Sequence, residues 1–417
     1  MAAGRKGAAG VGAASEALVV CVVGGSGFLG AHVCRLLGET RAIGRHAVRE
    51  VRVLDLVAPR GSQFDLWMKV AKEQWPAAQP TLTYMRGDIT QLADCLAALD
   101  GVDVVVHTAS LVDFGNKAPE LIYKVNVVGT HTVVRACQER KVRALVYTSS
   151  LDAITFWGDS VDLPSSAPYP PTVDDNAGGH YGFSKMLAEK HVLAADGAAL
   201  STVGLRMRGI YGEGDPYYIV SVIKATASGL LLFKIGDGRA PNDHTYVGNG
   251  AWAHICAAQR LLEPGNTVHG RAFNISYEEP CSLYEKVAPF LEVFKLKVPS
   301  AAVPAALMWH LAHLLELLFS LIPRVVRPTL LLTRESVEAI TRHKTFRDPR
   351  ARKELGFEPL YSPDECTVRT IRWLREEWAE RPGQETAAGA AWDVRAMTRL
   401  LLGALLTRYL VLVFLRV

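Results

Sequence analysis

Between residue 18 and about residue 210 the chain alternates short apolar, β-branched runs with segments whose apolar positions recur at helical spacing. The runs at 18–23, 51–56, 82–86, 102–107, 144–148 and 201–206 read as strands. Each is bounded by turn residues and nearly free of polar positions, the pattern of strands covered on both faces. Strands separated by helices in this way build a parallel sheet with helices on both sides. The predicted fold class is therefore α/β, a Rossmann-type doubly wound parallel sheet. After Tyr211 the rhythm loosens into loops, short strands and helices, including a helix over 251–262 and a strand over 272–276. That part is expected to form a smaller C-terminal substrate-binding region with apolar helices.

Two late segments stand apart. Residues 303–322 are almost wholly apolar but carry His310, His313 and Glu316, polar groups that are costly in hydrocarbon unless paired. The segment reads as an interfacial or weakly spanning helix, or as a buried one. Residues 399–417 form a hydrophobic tail interrupted by Arg408, and an Arg at mid-span opposes full insertion by a few kcal/mol. A tilted or surface-lying anchor is as consistent with that pattern as a true span, and membrane lipid is an expected partner. The full organisation expected is an Ala/Gly-rich leader (1–17) without the apolar stretch of a secretory signal, a dinucleotide-binding domain (18–210), a substrate-binding region (211–380), a linker (381–398) and the tail (399–417).

Composition narrows the function classes. The 417 residues suffice for one large domain with its own core, without disulfides or metal. Lys+Arg 46 against Asp+Glu 42 gives +4, spread along the chain with no basic run, so nucleic acid is not an expected partner. The seven cysteines are odd in number and widely spaced, with no CxxC and no zinc-ligand spacing. Reduced thiols on a cytosol-facing protein with no metal site follow.

The chemistry is carried by a few motifs. Directly after the first strand comes Gly24-Gly25-Ser26-Gly27-Phe28-Leu29-Gly30, leading into a helical run over 28–38. Gly24 permits the tight turn, Gly27 lets the backbone approach a pyrophosphate, and Gly30 allows close packing of helix on strand. Asp55 ends the second strand, where a carboxylate accepts ribose hydroxyls and repels a 2′-phosphate, so the expected cofactor is NAD in preference to NADP. Arg60 leaves some NADP use open. Asp88 and Ile89 close the third strand within reach of an adenine, and Thr108, Ala109 and Ser110 end the fourth, where small side chains leave room for a cofactor; His107 before them reads as a satisfied core residue. After the fifth strand comes Ser150, and 31 residues later Tyr181 opens a helix that carries Lys185 one turn on. At i and i+4 the phenol and the ammonium share a face. A phenol with a free pKa near 10 needs nearby positive charge to act as a base near neutrality, and a serine hydroxyl can hold the reacting oxygen toward it. His180 would point to another face and reads as structural.

Together, GGSGFLG, the late Asp55, RGDIT, Lys124 to Thr130, YTSS, YGFSK, Tyr211 to Gly214, Tyr246 to His254 and Lys353 to Ser362 resemble the extended short-chain dehydrogenases and, more narrowly, the 3β-hydroxysteroid dehydrogenase/isomerase family, over about residues 18–377. The resemblance implies NAD-dependent oxidation of a steroid or sterol 3β-hydroxyl, with or without migration of the Δ5 double bond to Δ4, at the endoplasmic-reticulum membrane with the catalytic domain toward the cytosol. It leaves a homodimer open. It implies a catalytic set of Ser150, Tyr181 and Lys185 with Asn126 aiding a proton relay. The implied cofactor contacts are Gly24, Gly27, Phe28, Leu29, Gly30, Asp55, Asp88, Ile89, Thr108, Ala109, Tyr181 and Lys185. Where the family has Arg-Pro after the sixth strand, this chain reads Arg206-Met207, which bears on substrate and efficiency. The competing readings are a sterol-4-carboxylate 3-dehydrogenase, a nucleotide-sugar epimerase or reductase on the same fold, and a non-catalytic NAD-binding membrane protein.

Overall fold

The computed structural model describes residues 17–59, 80–113, 115–322 and 330–379. The leader up to residue 16, Arg60, the linker 381–398 and the tail 399–417 lie outside the described residues.

Strand β1 (Leu18–Val23) is buried at all six positions and occupies the middle of the sheet. It runs parallel to β3 (His46–Asp55) on one side and to β5 (Val104–His107) on the other. Beyond β5 follow β6 (Ala144–Ser150), β7 (Ser201–Met207) and β11 (Arg271–Asn274), all parallel. Beyond β3 lie β4 (Thr81–Arg86), parallel, and the short antiparallel β2 (Ala42–Ile43). Successive side chains of a strand point to opposite faces. Val20 and Val22 accordingly pack under the helices Phe28–Thr40 and Val247–Leu262, while Val19, Cys21 and Val23 pack under Leu92–Ala98, Thr130–Glu139 and Gly179–Ala194. Two apolar layers, one per face, are why β1 reads as an unbroken apolar run rather than an alternating one.

The chain leaves β1 toward β3 on one side and reaches β5 on the other. This reversal opens a crevice at the carboxyl ends of β1 and β5, where open α/β sheets place their ligands.

Some expectations change on folding. The run 82–86 was expected to be covered on both faces; β4 is instead an edge strand, with Thr81, Thr83 and Arg86 exposed and Leu82, Tyr84 and Met85 half-buried. The run 51–56 is the buried end of the longer β3, whose first residues pair with β2. Past Met207, two-residue parallel pairs, β8 (Ile210–Tyr211) with β10 (Thr245–Tyr246) and β9 (Lys234–Ile235) with β12 (Ala302–Val303), tie the later segments together. The segment 303–322 forms the helix Ala305–Ser320. It turns Met308 and Ala312 inward against Ile235 and Val337 and leaves Leu307, Leu311, Leu314 and Leu317 exposed. Glu316 on this helix is held by Arg334 at 2.7 Å. Among the described residues no helix is long and apolar enough to cross a membrane.

Candidate active site

One cavity of about 690 Å³ occupies the crevice. All the residues expected to touch a dinucleotide line it, from Gly24, Gly27, Phe28, Leu29 and Gly30 through Asp55, Asp88, Ile89, Thr108 and Ala109; Ser150, Tyr181 and Lys185 line the same wall space farther along. The sequence motifs thus converge on a single volume.

The glycine loop fits a pyrophosphate. Gly24 has φ +84, and a Cβ there would stand 2.5 Å from the backbone nitrogen of Ala109. A Cβ on Gly30 would stand 2.2 Å from the Gly24 carbonyl, so the helix Phe28–Thr40 could not sit as close to β1 with any larger residue. The cap of that helix, Gly27, supplies no side-chain hydrogen bond, so its first N–H groups stay available to an anion. Asp55 anchors the loop: its Oδ2 accepts from the Ser26 N–H at 3.1 Å and its Oδ1 from the Val57 N–H at 3.3 Å. Asp88 shapes its own turn by accepting from the Thr90 N–H at 2.8 Å, and its N–H donates to Asp94 at 2.9 Å.

At the other end of the cavity β6 delivers Ser150 and the helix Gly179–Ala194 delivers Tyr181 and Lys185. The Ser150 hydroxyl donates to Asp152 Oδ2 at 3.1 Å, while Asp152 Oδ1 accepts from Arg208. Burial, followed by the charge of Asp152, raises the Tyr181 phenol above its ordinary pKa; hydrogen bonds with Ser150 and Ser110 hold it down. Lys185 is buried, and its Nζ donates to the Thr148 carbonyl at 2.6 Å and lies 4.4 Å above the Tyr147 ring. Burial lowers its ammonium to a pKa of about 7, with Glu189 opposing the shift. The two residues share a helix face, as the spacing predicts, and the ammonium is engaged by a carbonyl rather than by the phenol.

Asn126 does not line the cavity. It sits in a π-helical turn, Lys124–Gly129, an irregularity often found at functional sites. Its amide donates to the Leu111 carbonyl (3.1 Å) and Ser184 Oγ (3.0 Å), and its Oδ1 accepts from the Leu111 N–H (2.7 Å) and Ser110 Oγ (3.2 Å). Through Ser110 it reaches Tyr181 from behind. His107 is half-satisfied: its Nε2 meets Thr130 Oγ1 at 3.0 Å, its Nδ1 has no partner, and burial lowers its pKa to about 3. His180 packs edge-on against Tyr123, a structural role.

Three residues escaped the sequence reading, Asp152, Arg208 and Glu335; they stand on the cavity wall with Ser110, which was expected there beside Thr108 and Ala109. Arg208 follows Met207, where the family resemblance flagged a missing proline, and that departure was the available signal. Behind the wall, Arg206 and Glu189 form a fully buried ion pair at 2.6 Å, which Tyr169 completes by donating to Glu189 at 2.7 Å. It fastens the helix bearing Tyr181 to β7.

Comparison with known proteins agrees with this architecture. Residues 21–303 match the model of the 3-beta hydroxysteroid dehydrogenase/isomerase family. The chain is 33% identical to the 3 beta-hydroxysteroid dehydrogenase type 7 of Mus musculus, over 86% of this chain and 96% of that protein. It is 30% identical to the 3 beta-hydroxysteroid dehydrogenase/Delta 5-->4-isomerase of Vaccinia virus (strain Ankara), over 86% of this chain and 99% of that protein. A solved dTDP-glucose 4,6-dehydratase from Streptomyces venezuelae, with NAD bound, shares the fold at a TM-score of 0.62 and 20% identity, over 86% of this chain and 97% of that one.

Proposed function

The chain belongs to the 3-beta hydroxysteroid dehydrogenase/isomerase family, and from that premise we propose that it oxidises the 3β-hydroxyl of a steroid or sterol to the 3-ketone with NAD, with or without migration of the Δ5 double bond to Δ4. The observation that carries this reading is the meeting of Ser150, Tyr181 and Lys185 in the same cavity as the glycine loop. Ser150 and Tyr181 hold the substrate oxygen between them, and Tyr181 takes its proton. When bound, the oxidised dinucleotide supplies the hydride acceptor and a positive ring beside the phenol. Lys185, one turn along the same helix, would help hold the dinucleotide and would add its own charge on the side of the phenol. That second charge offsets burial and Asp152, which together raise the phenol. Asn126 and Ser110 position the phenol from behind. The placement of Asp55 beside the loop supports NAD over NADP.

The free, mostly buried cysteines support a cytosol-facing enzyme, and the outward leucines of Ala305–Ser320 support contact with lipid, for which the endoplasmic-reticulum membrane is the proposed location. The test is NADH formation from a panel of 3β-hydroxysteroids and sterols. Tyr181→Phe is expected to lower turnover by about 10²–10⁴-fold while NAD binding, measured by calorimetry, persists. Absence of turnover across the panel with either NAD or NADP would remove the steroid reading.

A further inference from the structure

The cavity wall carries more acid than hydride transfer uses, and nearly all of it is engaged. Asp152 is held by Ser150 and Arg208. Glu338 accepts from the Gly158 N–H at 2.6 Å and from Lys344 at 3.2 Å. Asp113 accepts the N–H groups of Gly115, Asn116 and Lys117. Asp243 accepts from the Phe346 N–H at 2.8 Å. Asp55 and Asp88 belong to the glycine-loop end. Glu335, in the first turn of the helix Arg334–Thr341, is different: it makes no hydrogen bond or ion pair among the described residues, and it faces the cavity.

Its seat is shaped to take a carboxyl. A Cβ on Gly179 would stand 2.0 Å from Glu335 Oε1, and one on Gly115 would stand 3.3 Å from Oε2. Gly179, at φ +56, opens the helix that carries Tyr181 two residues later, so the carboxyl rests against the base of the catalytic helix. From this geometry we propose that Glu335 is the base that carries a proton from C4 to C6 of a 3-oxo-Δ5 steroid, converting it to the Δ4 isomer. The inference rests on the steroid reading above.

The step balances within the site. The carboxylate removes the C4 proton, and the electrons of that C–H bond form the C3–C4 double bond of a dienolate whose oxygen stays between Ser150 and Tyr181. The dienolate then collapses: C4=C5 forms, the C3=O bond returns, and C6 takes the proton back from the carboxyl. Nothing is oxidised and no co-reactant is needed. A shuttle of this kind must be populated in both forms at working pH. Burial first, then Asp113, Glu316 and Asp152, raise Glu335 to a pKa of about 7, against the opposing charge of Arg334. Asp152 faces it from the segment after β6, Asp113 from the loop after β5 and Glu316 from the helix Ala305–Ser320.

The experiment supplies androst-5-ene-3,17-dione directly and follows the ultraviolet absorbance of the conjugated enone. In parallel, a ring-saturated 3β-hydroxysteroid, which cannot isomerise, reports dehydrogenation as NADH. With Glu335→Gln the ratio of isomerisation to dehydrogenation is expected to fall about 10²-fold or more, and Glu335→Asp should recover part of it. For the unsubstituted chain the isomerisation rate should rise with pH through about 7 as the carboxyl ionises. An unchanged ratio in the glutamine variant overturns the proposal, as does an aspartate variant no better than glutamine, or a rate flat across neutrality. A chain that oxidises the saturated alcohol but leaves the dione untouched overturns the proposal and leaves the dehydrogenase reading standing. A chain with neither activity overturns both.

Discussion

Buried ionisable side chains divide here by whether they are paired. Arg206 and Glu189 are buried together, and the hydrogen bonds from Tyr169 and to the Ser165 carbonyl complete their shells, so neither charge is left exposed to low dielectric alone. Among the described residues Glu335 has no such partner, and burial raises its pKa. In the native chain its pKa of about 7 lies above the ordinary value of 4.5, so the native state holds this proton more tightly than the unfolded one. Stability linked to Glu335 is therefore fully present below about pH 4.5 and is lost as pH rises toward 7. Glutamine does not titrate. Thermal melts of Glu335→Gln should match the parent chain near pH 4.5 and exceed it at pH 8, by on the order of 1–3 kcal/mol. An equal melting difference at both pH values would mean that the carboxyl does not ionise in place. A residue that lowers stability while sitting in the cavity is what a functional carboxyl looks like.

At the scale of elements, the helix Ala305–Ser320 has two unlike faces. Met308 and Ala312 close a small apolar cluster with Val337, on the helix whose other side walls the cavity with Glu335. The leucines at 307, 311, 314 and 317, spaced at helical intervals, are 60%, 41%, 50% and 57% exposed. Changing Leu307, Leu314 and Leu317 together to Ser should lower the melting temperature only modestly, since at least half of each residue is already exposed. It should weaken co-flotation with phospholipid vesicles. Loss of thermal stability with vesicle binding intact would reverse that assignment. The sequence made the main strands legible because β1, β5, β6 and β7 are mostly apolar and buried at nearly every position, which only a two-faced core demands. It misread the surroundings of β4, since a strand with one neighbour can carry a mixed pattern such as Thr81 to Arg86. The pairs β8 with β10 and β9 with β12 left no local signature, being two residues long and dependent on partners dozens of residues away. Glu335 was invisible for the same reason. An isolated acid at the start of a short helix has no neighbour in sequence to mark it, and only the fold brings it to Gly179.

The whole molecule is organised around the reversal of strand order at β1. Glycine loop, Asp55 and Asp88 come from one side of that reversal and Ser150, Tyr181 and Lys185 from the other, so a ligand filling the crevice bridges both halves of the sheet. Ligand binding should accordingly stabilise the entire chain. NAD at a hundred times its Kd is expected to add about 2.7 kcal/mol, read as a rise in Tm, with a smaller rise for NADP. Gly24→Val should abolish the shift for both, because its side chain would meet Ala109 where the pyrophosphate must approach. A larger NADP shift would reverse the role given to Asp55.

The leucine row has a kinetic consequence. Under the proposed function, a chain held on a leaflet by this row would draw its steroid from that leaflet, and turnover would follow the two-dimensional density of the sterol rather than its bulk molarity. With steroid supplied in phospholipid vesicles, the parent chain is expected to turn over faster than the triple-serine variant, and equal rates would remove the lipid seat.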